Sequence, residues 1–126
     1  MTTKHWPLTI KRAYEEPSPQ DGERVLIDRL WPRGVAKADA HITLWLKDIA
    51  PSAGLRVWFG HDPDKYEEFR RRYLAELAEE PGKSALAQLR ERLEHGPVTL
   101  VFAARDSEHC NASVLRDLLA SDAKAS

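Results

Sequence analysis

Val98-Thr99-Leu100-Val101-Phe102-Ala103-Ala104, followed by Arg105-Asp106-Ser107 and a helical pattern on Val114, Leu115, Leu118 and Leu119, decides the fold. A continuous run of apolar and β-branched residues reads as a strand covered on both faces, the interior position of an α/β sheet. The polar turn and the helix after it complete a strand–turn–helix unit. A second such run, Val25-Leu26-Ile27 within Arg24–Leu30, ends at Trp31-Pro32-Arg33-Gly34. There Pro32 has no N–H for a ladder and Gly34 permits a sharp turn. The chain between the two runs carries helices. The strands are therefore expected to be parallel interior neighbours, or near-neighbours, joined by a right-handed crossover.

Working outward, Leu8–Tyr14 alternates apolar and polar residues with a period of two, a strand with one better-buried side. Glu15 to Glu23 collects Pro, Ser, Asp and Gly and reads as a loop too short for a helix. Ile42–Ile49 fits either period, and a short strand before Pro51 is preferred. Ser52 caps a short helix carrying Leu55, Trp58 and Phe59, closed by Gly60. Asp62-Pro63 pairs an N-cap with proline at the first helical position. It opens a helix whose Tyr66, Phe69, Tyr73, Leu74 and Leu77 share a face, with Gly82 as its stop. Ser84 starts the next, with Leu86, Leu89 and Leu93 inward and Gly96 at its end. The sum is one α/β domain over residues 1–126: a small, mostly parallel sheet of about four strands with helices packed on it. Its core covers about residues 8–120, with a frayed tail over 121–126.

Lysine and arginine total 19 against 20 acids, a net charge of −1. Backbone recognition of nucleic acid draws on a basic excess, so the balance argues against that partner. Arginine outnumbers lysine 12 to 7, which suits fixed recognition of carboxylate or phosphate, although solvated helix faces account for most such residues. With one cysteine, no disulfide can form within the chain. Met1 to Pro7 has no apolar leader core, and no apolar run approaches the ~20 residues of a membrane span. A cytoplasmic protein without membrane contact is the expectation. The sequence does not fix the oligomeric state.

Ligands in open α/β sheets bind beyond the carboxyl ends of the strands. Both interior strands end there in charge: Asp28-Arg29 with Arg33, and Arg105-Asp106 beside the start of the last helix. A helix N-terminus favours an anion. In the bland alternative, Asp28 pairs with an arginine and Asp106 caps the helix. Cys110, near that helix start, has the position of an activated thiol, though most lone cysteines are buried and inert. His109 can serve as an acid–base group. His5, His41, His61 and His95 complete the histidines, and no His-Glu-x-x-His or paired-cysteine spacing exists, so no metal site is expected. No GxGxxG, GxxxxGK[ST] or GxSxG occurs, and no cofactor is implied. Among Trp6, Trp31, Trp45 and Trp58, core packing is the ordinary role. Trp31, between Arg29 and Arg33, is the exception to consider.

A resemblance enters at these residues. Asp28-Arg29-Leu30-Trp31-Pro32-Arg33-Gly34, Trp45-Leu46-Lys47 with Ala50-Pro51-Ser52, and Leu55 through Phe59-Gly60-His61-Asp62-Pro63 resemble the YeaO-like branch of the domain of unknown function 488 family. So do Glu68-Phe69, Tyr73, Glu76-Leu77, Thr99-Leu100 and Ala103-Ala104-Arg105-Asp106 with Glu108-His109, a match from about Ile10 to Leu119. The resemblance implies an α/β fold and names no substrate. Longer family members carry Cys-His-Arg near the start of the last helix, where this chain has Cys110-Asn111-Ala112, so no universal thiol role carries over.

Three readings follow. The favoured one is a domain binding a small anionic ligand at the carboxyl edge of the sheet. Arg29, Arg33 and Arg105 hold the anion and Asp28 orients an arginine. Arg56, Trp31 and Asp106 lie beside them, with His109 and Cys110 as reactive groups if the protein is an enzyme. The second is a nucleic-acid-associated module using Arg29, Trp31, Arg33 and Arg56. The third is an interaction protein without a small ligand.

Overall fold

The strand Val98–Phe102 (β4) is buried at every position, as its apolar run demands. Glu23–Leu26 (β2) pairs with it in parallel, with Val25 opposite Leu100 and Leu26 opposite Val101. Leu8–Arg12 (β1) pairs with the other side of β4, and the two-residue strand Leu44–Trp45 (β3) pairs with the far side of β2, both in parallel. The order is β1-β4-β2-β3, so the two apolar runs are the interior neighbours. This computed structural model describes residues 7–125, with side chains as far as residue 121. The readings placed on Met1, His5 and Trp6 lie outside the described residues.

Alternation along β2 and β4 divides the core. Val25, Ile27, Val98, Leu100 and Phe102 face four helices: Ala53–Phe59, Tyr66–Leu77, Gly82–His95 and Asn111–Ala125. With the short helix Lys37–Ala40 as α1, these are α2 to α5. They contribute Phe59, Phe69, Tyr73, Leu89, Leu93, Val114 and Leu115 to one continuous cluster. Leu26 and Val101 point the other way with Ala13, onto a smaller layer of Trp31, Val35, Ile42 and Trp45. Both faces are covered, one by helices and one mainly by loops.

The punctuation mostly holds. Ser52 caps α2 by accepting from the Leu55 N–H, and Gly60 closes it in the left-handed region. Asp62 caps a 3-10 turn over Pro63–Lys65 that runs into α3. The double pattern in Ile42–Ile49 resolves into both forms, β3 and then a 3-10 turn over Lys47–Ile49.

Other readings need correction. Helix α3 ends at Leu77 rather than near Gly82, and Gly82 opens α4 ahead of Ser84. A Cβ at Gly82 would come within 3.1 Å of the Glu76 carbonyl, so this glycine allows close packing of two helices rather than a stop. Ser84 sits inside the first turn, where its N–H and Oγ bond the Glu80 carboxylate at 2.9 and 2.7 Å. The loop over 15–23 contains a 3-10 turn, Pro19–Asp21, closed by a capping box between Ser18 and Asp21.

Candidate functional site at the carboxyl edge of the sheet

The β2 ladder continues one residue past the strand through the Ile27 N–H, which donates to the Val101 carbonyl at 3.1 Å. Asp28 follows, and its carboxylate is held from two sides. The Ala103 N–H donates to Oδ2 at 2.9 Å and the Asn111 amide to Oδ1 at 3.1 Å. Asn111 also donates to the Ile27 carbonyl at 3.3 Å, and the Trp45 indole donates to the Asp28 carbonyl at 2.7 Å. One residue thus ties together β2, β3, the end of β4 and the start of α5. Burial pushes the Asp28 carboxyl above its ordinary value. The two donors and the positive fields of His61 and Arg56 oppose that rise without cancelling it.

Asp28 therefore forms no ion pair with an arginine, and its influence on Arg56 acts through space. Asp106 does not cap α5 either. It closes the preceding turn, accepting from the Glu108 N–H at 3.0 Å and meeting His109 Nδ1 at 2.8 Å. The α5 start is closed by Ser113, whose Oγ accepts from the Cys110 N–H at 3.1 Å and donates to the Cys110 carbonyl at 2.8 Å. Cys110, Asn111, Ala112 and Ser113 are all buried, so the first turn of α5 does not offer the open N–H groups expected there.

Arg29, Arg33, Arg56 and Arg105 are exposed. No hydrogen bond or ion pair holds their side chains among the described residues. Trp31 is half-buried: its indole donates to the Val35 carbonyl at 2.7 Å and its ring meets Trp45 edge-on, centroids 5.4 Å apart. Cys110 is 3% exposed, its sulfur 3.8 Å from the Ser107 carbonyl. Burial pushes this thiol up and the Asp28 charge adds to the rise, against the Ser113 and Ala112 N–H groups. This is the setting of an unreactive thiol. His109 lies edge-on to Tyr66 at 5.1 Å, and Tyr66 shares a 2.8 Å hydrogen bond with Ser113.

Several residues of this edge had no signal strong enough to find them. Asn111 binds Asp28 across a long separation in the chain, which local patterning does not show. Arg12 donates to the Ala104 carbonyl at 3.0 Å and lies 5.0 Å from the Tyr14 ring centroid. Tyr14 in turn donates to the Arg33 carbonyl at 3.1 Å. The one available clue was their position at the end of an alternating strand.

Among the described residues no three His, Cys, Asp or Glu side chains gather as a metal site, and no helix is long and apolar enough to cross a membrane. An open cleft of about 610 Å³ lies at the opposite, amino end of the sheet, between Gly22-Glu23, Gly96-Pro97 and the last turns of α4. Its Arg92 is already paired with Glu23 at 2.6 Å.

Residues 7–126 match the family model described as the inactive DUF488-N3 subclade. An uncharacterised protein of Mycobacterium tuberculosis is 44% identical over 112 residues, covering 89% of this chain and 92% of its own length. An identical level of similarity links the chain to an uncharacterised protein of Mycobacterium bovis. The uncharacterised protein YeaO of Escherichia coli is 42% identical over 116 residues, 90% of this chain and 97% of its own. No solved structure matches. Match length and identity together make this chain a YeaO-like member of the DUF488 family, within its inactive N3 subclade.

Proposed function

We propose that the carboxyl edge of the sheet binds a small anion bearing a phosphate or carboxylate, without turning it over. One observation carries this reading: Arg29, Arg33, Arg56 and Arg105, all placed around the ends of β2 and β4 or within the field of Asp28, have no hydrogen-bond or ion-pair partner among the described residues. Elsewhere Arg24, Arg71, Arg72, Arg92 and Arg116 are held in ion pairs. The acids of the edge are spoken for, Asp28 by Asn111 and Ala103 and Asp106 by His109. Unpaired guanidinium groups are ready forks for an oxyanion.

Binding without turnover agrees with the description of the subclade as inactive and with a buried, high-pKa thiol at Cys110. His109, bonded to Asp106, then holds the turn before α5 rather than moving a proton. The nucleic-acid reading has less support, because Trp31 is committed to Trp45 and Val35.

Thermal melting with inorganic phosphate, sulfate and citrate tests the reading. An anion at a hundredfold excess over its dissociation constant stabilises the fold by ~2.7 kcal/mol, several degrees for a domain of this size. Arg29→Ala, Arg33→Ala and Arg105→Ala should each reduce the shift while the unliganded melting temperature holds. No shift with any anion sinks the reading.

A further inference from the structure

The side chain best placed to extend this edge is Tyr14, on the turn just past β1. That turn is fixed by the Ala13 N–H, which donates to the Phe102 carbonyl at 2.7 Å, and by the Glu15 N–H, which donates to the Arg12 carbonyl at 3.0 Å. The ring itself is fixed twice. Its hydroxyl donates to the Arg33 carbonyl, and the Arg12 guanidinium lies over the ring, 5.0 Å from its centroid. Arg12 is in turn anchored on the Ala104 and Ala103 carbonyls at 3.0 and 3.4 Å. The Tyr14 ring is therefore tied directly to the Arg33 backbone and, through Arg12, to the backbone of Ala103 and Ala104, and it remains 49% exposed.

Other surface aromatics are more fully engaged. Trp58 carries two cations, Lys65 at 5.1 Å and Arg72 at 4.3 Å, while Trp45 carries Lys47 at 4.0 Å and the edge of Trp31. Tyr14 has a cation and no ring partner among the described residues. A held aromatic ring beside unpaired arginines is the pairing that recognises a planar ring joined to an anion. The ring stacks, and the guanidinium takes the charge.

We infer that Tyr14 is a stacking platform, and that the ligand of this edge is a small planar aromatic compound carrying a phosphate or carboxylate, held between Tyr14 and the guanidinium groups of Arg33 and Arg105. The inference rests on the anion-binding reading above and names its ligand class. Rigidity is what makes the platform useful. Both contacts on the ring exist before the ligand arrives, so little side-chain freedom is lost on binding.

Calorimetric titration with inorganic phosphate, phenyl phosphate, cyclohexyl phosphate and benzoate tests it. Phenyl phosphate should bind on the order of tenfold more tightly than inorganic phosphate or cyclohexyl phosphate, the scale of one aromatic stack. Benzoate binding weakened by Tyr14→Ala would show that carboxylates share the site. Tyr14→Ala should bring phenyl phosphate down to the inorganic ion and leave the inorganic ion unchanged, whereas Tyr14→Phe keeps most of the preference. Equal binding of phenyl and cyclohexyl phosphate, or a Tyr14→Ala variant that keeps the preference, overturns the platform and leaves the anion site standing. Failure of every anion to bind overturns the site and the platform together. Much tighter, salt-sensitive binding of a short single-stranded oligothymidylate than of phenyl phosphate overturns the small-ligand class in favour of nucleic acid.

Discussion

Asn111 donates its side-chain amide to the Asp28 carboxylate at 3.1 Å, joining the first residue of the last helix to the end of an interior strand. The same nitrogen reaches the Ile27 carbonyl. A carboxylate in this setting survives burial because donors face both its oxygens. Removing one leaves a buried acceptor bare, which costs about 1–3 kcal/mol.

Replacing that donor by an acid sharpens the test. In Asn111→Asp two carboxylates would face each other, and one is forced to hold its proton. Asp28 already lies above its ordinary value in the folded protein. A raised acid binds more protons folded than unfolded, so its stabilising contribution is present at low pH and lost as pH rises through the folded value. Asn111→Asp should therefore be destabilised by about 3–5 kcal/mol at pH 7, with a deficit that shrinks toward about pH 4. Urea unfolding at the two pH values measures it. Equal stability at pH 7 would mean that Asn111 does not support Asp28.

How far these features could be read from sequence depends on whether their cause is local. Both interior strands were legible, because Val25-Leu26-Ile27 and Val98–Phe102 are apolar on successive positions and only a doubly covered sheet requires that. The caps at Ser52 and Asp62 were legible because side chain and target N–H lie within three residues. Gly82 was misread because a glycine that ends a helix and one that admits a neighbour look alike in sequence. Strand β3 has two residues and α1 four, too few to build a periodic signal. At the carboxyl edge, Asp28 was legible as charge just past a strand end. Asn111, Arg12 and Tyr14 were not, because their partners lie far along the chain.

On the sheet face opposite helices α2 to α5, Arg24 is 3% exposed and pairs with Asp21 at 2.6 Å. Its Nε donates to the Ala40 carbonyl at 2.9 Å. Burial alone would raise Asp21, but the Ser18 N–H, Arg24 and Lys11 outweigh it and hold the carboxyl below its ordinary value. A lowered acid contributes stability that is present above its unfolded value, about pH 4, and lost as pH falls through the folded one. Arg24→Met should cost about 3–5 kcal/mol at pH 7, since Lys11 is then the one charge partner left to Asp21 among the described residues. Asp21→Asn should flatten the acid limb of stability, and the double variant should lose less than the sum. Strict additivity would mean that the two are not coupled.

Gly22 and Gly34 separate two reasons for a glycine. Both have positive φ, 64° and 81°. A Cβ at Gly22 would run into the Pro97 carbonyl, whereas one at Gly34 meets nothing within 4 Å. Gly34→Ala should cost only the conformational strain, about 1–2 kcal/mol. Gly22→Ala adds a backbone collision and should lose clearly more in a parallel urea series. Equal losses would contradict the close approach at Gly22.

Cys110 provides the last test, because its position and its surroundings point in opposite directions. A thiol near a helix start and close to an arginine in sequence is a candidate for activation. Yet the side chain is buried, its sulfur facing the Ser107 carbonyl, and Arg105 is exposed. Burial disfavours a thiolate here, and the charge of the Asp28 carboxylate acts in the same direction. Reaction needs both the thiolate and access, and access requires local opening of the first turn of α5. Iodoacetamide at neutral pH should therefore modify the folded protein at least about tenfold more slowly than a free thiol such as N-acetylcysteine. The rate should rise when urea unfolds the chain, and Arg105→Ala should leave the folded rate unchanged. Cys110→Ala should keep the anion-induced melting shift, since the sulfur is not part of the proposed site. Rapid alkylation of the folded protein, slowed by Arg105→Ala, would instead make Cys110 an activated nucleophile and turn the binding edge into an active site.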